Sequence, residues 1–115
     1  MTSVFKNVLT ANIGTTPNTV LTSNATATTT IIGMSATNTT SEVVLFSIKI
    51  TDPNGGGQGI PTTAYYLSNA VIPAYQSLRV INGGEKLILG ASNVLSMTAN
   101  VNSSVDLVMS WVEIS

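Results

Sequence analysis

The side chains best suited to acid–base chemistry in this 115-residue chain are five carboxylates, Glu42, Asp52, Glu85, Asp106 and Glu113. General acid–base catalysis needs such groups to converge on one substrate. These five are instead spread singly through segments that read as strand ends and loops. Isolated, solvated carboxylates are the expectation. His and Cys are both absent, which removes Ser-His-Asp and Cys-His nucleophiles and the commonest zinc ligand sets. No enzyme activity, cofactor or metal is expected.

Other patterns could carry chemistry, and each has a plainer reading. Asp52-Pro53-Asn54-Gly55-Gly56 has the look of a calcium-loop opening, but it holds one carboxylate and lacks the later bidentate Glu. It reads better as a flexible hairpin tip. Its glycines are not followed by the Lys-Ser/Thr ending of a phosphate cradle. Asn24-Ala-Thr26, Asn38-Thr-Thr40 and Asn102-Ser-Ser104 match the glycosylation triplet, as chance allows in a chain rich in Asn and Thr. Thr26-Ala-Thr-Thr-Thr30 lacks the repeating register of a flat threonine face.

The aromatic residues are better candidates for contact than for catalysis. Tyr65, Tyr66, Tyr75 and Trp111 could form a sugar-stacking platform, yet Trp111 falls on the apolar face of its strand and reads as core. Tyr65 and Tyr66 are adjacent, so they point to opposite faces and one of them is left for a subunit contact. A glycan-binding reading would use Tyr65, Tyr75 and the 55–59 loop. Several segments are apolar on both faces: Val43 and Leu45 oppose Val44 and Phe46, and Val108 and Val112 oppose Met109 and Trp111. An antiparallel strand in a sandwich normally has one solvated face. The candidate interface is therefore Tyr65, Tyr66, Tyr75, Val43, Leu45, Val108 and Val112.

Bulk composition agrees with an interface protein. Charged residues make up 8% of the chain and the formal net charge is -1, against roughly a quarter charged in ordinary domains. Thr, Ser and Asn supply about a third of the residues instead. The four cations, Lys6, Lys49, Arg79 and Lys86, are dispersed, so neither a nucleic-acid footprint nor a basic membrane-binding helix is expected. No secretory leader is read at the start, and the absence of Cys fits assembly in a reducing cytoplasm. The length suits one domain, residues 1–115.

These residues must be carried on strands. Thr, Val and Ile dominate, turn residues recur every eight to twelve positions, and no window shows helical periodicity with caps. Extended segments are read at 4–12, 19–23, 28–37, 42–51, 63–71, 77–81, 93–101 and 105–114, with Leu87 and Leu89 continuing after Glu85 and Lys86. In the third, Ile32, Met34 and Ala36 share a face opposite Ile31, Gly33 and Ser35. In the fourth, Val44, Phe46, Ile48 and Ile50 oppose Ser47, Lys49 and Thr51. In the last, Val105, Leu107, Met109 and Trp111 share a face. Asn38-Thr-Thr-Ser41 and Asn102-Ser-Ser104 read as hairpin loops, Asn82-Gly83-Gly84 as a tight turn, and Pro73 as a strand end or edge mark. The expected fold is an all-β, two-sheet antiparallel sandwich of about eight short strands, jelly-roll or immunoglobulin-like.

The layout resembles the small all-β virion structural proteins of tailed bacteriophages, particularly those of marine and cyanobacterial phages. The resembling parts are Phe5-Lys-Asn7, the Thr-rich strand leading to Ile31-Ile-Gly-Met-Ser35, and Val43 through Asp52. Further on come Val71-Ile-Pro-Ala-Tyr75, the Gly84-Glu-Lys-Leu87 turn and Val108-Met-Ser-Trp-Val-Glu-Ile114. The family commonly has an acidic Gly-Asp-Lys/Thr-Leu turn where this chain has Glu85. The resemblance implies a non-enzymatic virion protein, foremost a capsid decoration (cement) protein. Its partners would be itself, with a trimer favoured, and the phage major capsid protein. The alternative is a tail, neck or fibre-associated structural or glycan-binding sandwich, with tail proteins as partners.

Overall fold

Alternating Thr, Val and Ile build strands, and a computed structural model describes them over residues 2–55, 58–81 and 86–115. The strands are β1 (Ser3–Ile13), β2 (Asn18–Thr22), β3 (Thr28–Asn38), β4 (Val44–Asp52), β5 (Thr62–Ile72), β6 (Ser77–Ile81), β7 (Leu87–Leu89), β8 (Val94–Ala99) and β9 (Val105–Ile114). The described residues contain no helix. The turn read at Asn82-Gly83-Gly84, together with Glu85, lies outside the described residues.

Two antiparallel sheets form: β1-β9-β3-β6, with β7 also paired to β3, and β2-β8-β4-β5. The pairings nest. β4 pairs with β5, β3 with β6, β2 with β8 and β1 with β9, like one long hairpin bent at the 53–61 loop. Rolling that hairpin brings β9 onto β3 and β8 onto β4. This is the strand order of a jelly roll, not that of an immunoglobulin sandwich.

The order corrects two hairpin readings. Residues 39–43 join β3 in one sheet to β4 in the other, and residues 100–104 join β8 to β9 across the same gap. Both are arches between sheets. Turn-forming residues look alike in a hairpin and an arch, because both need the same local side-chain bonds and positive φ. Ser103 has φ 50°.

Between the sheets, alternation fills the core. Trp111, Ile31 and Leu87 form one inward row, with exposed Lys6 at its β1 end, followed by Val8, Met109, Met34 and Ile81, and then Thr10, Leu107, Ala36 and Leu78. The facing sheet contributes Phe46 beside Ala99, Ile48 beside Met97, and Ile50 beside Leu95. One facing differs from the sequence reading. A bulge between Ile31 and Gly33 puts Ile32 out of register, so Ile31 joins Met34 and Ala36 in the core while Ile32 is only half-buried. An extra residue flips the side-chain phase, which simple alternation cannot anticipate.

The arches at one end are tied by a buried amide. Asn38, fully buried at the end of β3, donates from Nδ2 to the carbonyls of Glu42, Ile72 and Pro73 at 2.7, 3.0 and 3.2 Å. Its Oδ1 accepts from the backbone N–H and hydroxyl of Thr40 at 2.9 and 2.8 Å. The 39–43 arch is thereby fastened to the 73–76 loop. Thr39 N–H donates to Ser104 O, and Ser104 N–H to Ile13 O, which extends the tie to the remaining loops at that end. Gly14 allows the closest approach: a Cβ there would meet the backbone N of Ser103 at 2.9 Å.

Two substitutions test this account. Asn38→Ala strips a satisfied amide from three carbonyls and should cost about 3 kcal/mol. The melting midpoint should fall by roughly 10 °C, measured by urea and thermal unfolding. Thr29 is fully buried and its Oγ1 has no hydrogen-bond partner. Thr29→Val keeps the shape without the unpaired hydroxyl and should add about 1 kcal/mol in the same assay.

Candidate interface surfaces

The two outward faces differ in chemistry. On the β2-β8-β4-β5 sheet, the outward positions include Ser47 beside Thr98, Lys49 beside Ser96 and Tyr65, and Thr51 beside Val94 and Thr63. The Thr51 and Thr63 hydroxyls are hydrogen-bonded at 2.9 Å, and the Lys49 ammonium lies 5.1 Å from the Tyr65 ring centroid. This face is largely hydroxyl-bearing.

The opposite face carries an exposed apolar stretch. One row runs Phe5, Val112, Thr30 and Ile88 across β1, β9, β3 and β7. A second runs Leu9, Val108, Ser35 and Arg79. Between them lies a low row of small residues, Asn7, Ser110 and Gly33, and a Cβ added at Gly33 would meet open space. Shallow hollows of about 350 and 370 Å³ meet there at Ile32 and Ser110. Phe5 is 74% exposed, Leu9 69%, Ile88 67% and Val108 49%. An uncovered apolar sheet face of this kind marks a contact surface.

The sequence-derived candidates do not form one site. Val108 and Val112 lie on the apolar face just described. Leu45 faces outward from the other sheet, in register with exposed Val71, and Tyr65 lies further along the same face. Val43 is exposed in the arch before β4, so it is not part of that strand. Tyr75 is exposed in the loop after β5, and its N–H donates to Thr40 O. Tyr66 is half-buried against the core, as adjacency to Tyr65 requires, and Trp111 is buried.

The sugar-contact grouping is dispersed as well. β5 runs from the 53–61 loop toward Tyr75, so strand length separates Tyr65 from Tyr75 by more than ~20 Å at about 3.3 Å per residue. Of the 55–59 loop, residues 56 and 57 lie outside the described residues. Phe5, Leu9 and Ile88 were missed as candidates. The alternation Phe5, Asn7, Leu9 carried the signal, but which face would be left open depends on sheet order.

One backbone feature stands out. Tyr75 has φ 57° within a turn in which Gln76 N–H donates to Pro73 O at 3.1 Å. A bulky residue in that region is strained. Asp106 and Asp52 are singly placed, at opposite ends of the sandwich. Asp106 accepts the Asn12 N–H at 3.0 Å, and Asp52 the Asn54 N–H at 2.8 Å. Among the described residues no group of three or more acidic side chains is placed to hold a metal ion.

Glu113 has two strong partners. It accepts from the Trp111 indole N–H and the Lys6 ammonium, each at 3.2 Å. The indole bond first, and then Lys6, hold its carboxyl below the ordinary value of 4.5.

Fold and surface together define a jelly-roll domain whose candidate site is an exposed apolar sheet face. No protein-family model matches the chain, and no curated protein matches it. Among solved structures, the crystal structure of the infectious bursal disease virus VP2 subviral particle is similar at 15% sequence identity and a TM-score of 0.32. That alignment covers 98% of this chain and 42% of the other, so this chain spans less than half of that one's length.

The Glu113 cluster yields a pH signature. A depressed folded pKa means its stabilisation is present above 4.5 and is lost as pH falls through the folded value. The fluorescence of Trp111, the single tryptophan, should therefore titrate below pH 4.5, and Glu113→Gln should remove that transition.

Proposed function

We propose that this chain is a non-enzymatic structural protein of a virus particle, acting as a capsid decoration protein of a tailed bacteriophage. It works by contact, with copies of itself and with the major capsid protein. The observation that carries this reading is the apolar outer face of the β1-β9-β3-β6 sheet, where Phe5, Leu9, Val108 and Ile88 stand in solvent.

Three further facts support it. The low charge of the chain spares a permanent contact the cost of desolvating ions. The jelly roll is an architecture used by capsid and lectin domains, which is an argument from analogy of fold. The resemblance of segments such as Val43 through Asp52 and Val108 through Ile114 to phage virion proteins gives the analogy its direction. The glycan-binding variant is less well supported, because Tyr65 and Tyr75 lie on different parts of the molecule.

Particles of the virus that encodes this chain provide the test. Quantitative mass spectrometry should find it in copy number commensurate with the major capsid protein. Cryo-electron microscopy should find it on the shell. Absence from particles, or a few copies at the neck or tail, would overturn the decoration reading. Val108→Asp, at a half-exposed position, should leave the melting midpoint within a few degrees. It should weaken binding to shells at least ~30-fold, because a buried unpaired charge costs about 2 kcal/mol or more.

A further inference from the structure

We propose that the free edge of β1 pairs with the β1 edge of a second copy of this chain about a two-fold axis, joining the two β1-containing sheets into one continuous sheet. The pairing needs only the chain itself and would form wherever the protein sits.

The edges of the two sheets are unequal. β2 has five residues and a register shift between Thr19 and Leu21. β6 and β7 have five and three residues. β5 is long, but its register with β4 breaks twice, and Asn69 within it has φ 50°. Short length and bulges are the devices that keep sheet edges from pairing with other chains. β1 lacks them over most of its length. From Ser3 to Thr10 it pairs with β9 without a shift, and β9 is its one partner among the described residues.

The direction of its free groups can be derived. Thr2 and Ser115 exchange both backbone hydrogen bonds, at 2.8 and 2.9 Å. In an antiparallel ladder such pairs alternate with pairs whose N–H and C=O groups point away. Continuing the register, Val4, Lys6, Val8 and Thr10 aim their backbone groups at β9. Ser3, Phe5, Asn7 and Leu9 therefore aim theirs at the open edge. Their side chains lie on the apolar outer face, so one set of residues offers both free main-chain groups and exposed apolar surface.

The edge is also complementary to itself. A two-fold axis through Asn7 places Phe5 of one copy opposite Leu9 of the other, and Asn7 opposite its own counterpart. All of these belong to the outward-pointing set, so the ladder bonds form in that register. The single charge on β1, Lys6, is turned to the other face and bound by Glu113 at 3.2 Å. No like charges meet across the axis. An isologous contact requires this kind of self-match, and an unrelated peptide has no reason to reproduce it. An edge of eight residues is ~26 Å long. Alone it falls short of the roughly 800 Å² per partner of a standard interface. Association should therefore be concentration-dependent, with main-chain bonds and the Phe5–Leu9 contacts supplying affinity.

Sedimentation velocity on the purified protein tests this, over about 1 μM to 1 mM. A monomer–dimer equilibrium is expected. Asn7→Pro removes an N–H that faces the open edge, a position where an edge strand tolerates proline. It should weaken dimerisation at least ~30-fold and leave the melting midpoint within a few degrees. Val8→Pro removes an N–H directed at β9 and should lower the midpoint by roughly 10 °C or more. On the unmodified protein, amide exchange read by NMR should show Phe5, Asn7 and Leu9 protected only at dimer-forming concentration, and Val4, Lys6 and Val8 protected throughout. A monomer at every concentration, a trimer, a dimer indifferent to Asn7→Pro, or exchange with the opposite alternation would each overturn the proposal.

Discussion

The structure depends on how the chain crosses between its two sheets without leaving backbone groups unpaired. A rolled hairpin must make that crossing repeatedly, and every crossing interrupts a ladder where polar groups are about to be buried. Asn38 answers this at one end with a single side chain that satisfies three carbonyls and receives two donors from Thr40. A similar arrangement stands at the other end. Ser23 Oγ donates to Gly90 O at 2.6 Å and accepts the Asn93 N–H at 2.7 Å. Short neutral side chains suit this task, since a buried ion in their place would add a desolvation cost. The abundance of Asn, Ser and Thr thus has a structural use before any question of surface arises.

With the arches secured by neutral groups, the faces are free to differ. The inward rows are mainly packed apolar residues from both sheets. One outward face carries hydroxyls, and those of Thr51 and Thr63 bond to each other across strands. The other carries Phe5, Leu9, Ile88 and Val108 in solvent. Few charges are present to keep either face in water. The exposed apolar face and the unbroken edge of β1 adjoin one another, because Phe5 and Leu9 belong to both.

Much of the fold was legible from residue types. β-branched residues at a period of two located every strand to within a few positions, and the inward set Val44, Phe46, Ile48 followed from alternation alone. Three things were not legible. Ile31 and Ile32 exchanged places because a bulge adds one residue and reverses the phase. Asn38-Thr-Thr-Ser41 and Asn102-Ser-Ser104 read as hairpin loops because arches use the same turn residues. The candidate contact residues were scattered: Val108 and Val112 on one sheet, Leu45 and Tyr65 on the other, and Val43 and Tyr75 in loops at one end.

By itself, the sequence determined that the protein is all-β, sparsely charged, and without His or Cys. Those properties are local: composition and side-chain period need no knowledge of neighbours. Tertiary structure decided the jelly-roll order, the face left uncovered, and the edge left unpaired. Pairing partners lie up to a whole chain apart, as with Thr2 and Ser115. Whether Phe5 faces a neighbouring strand, a second sheet or water depends on that order, and a period of two is the same in all three cases.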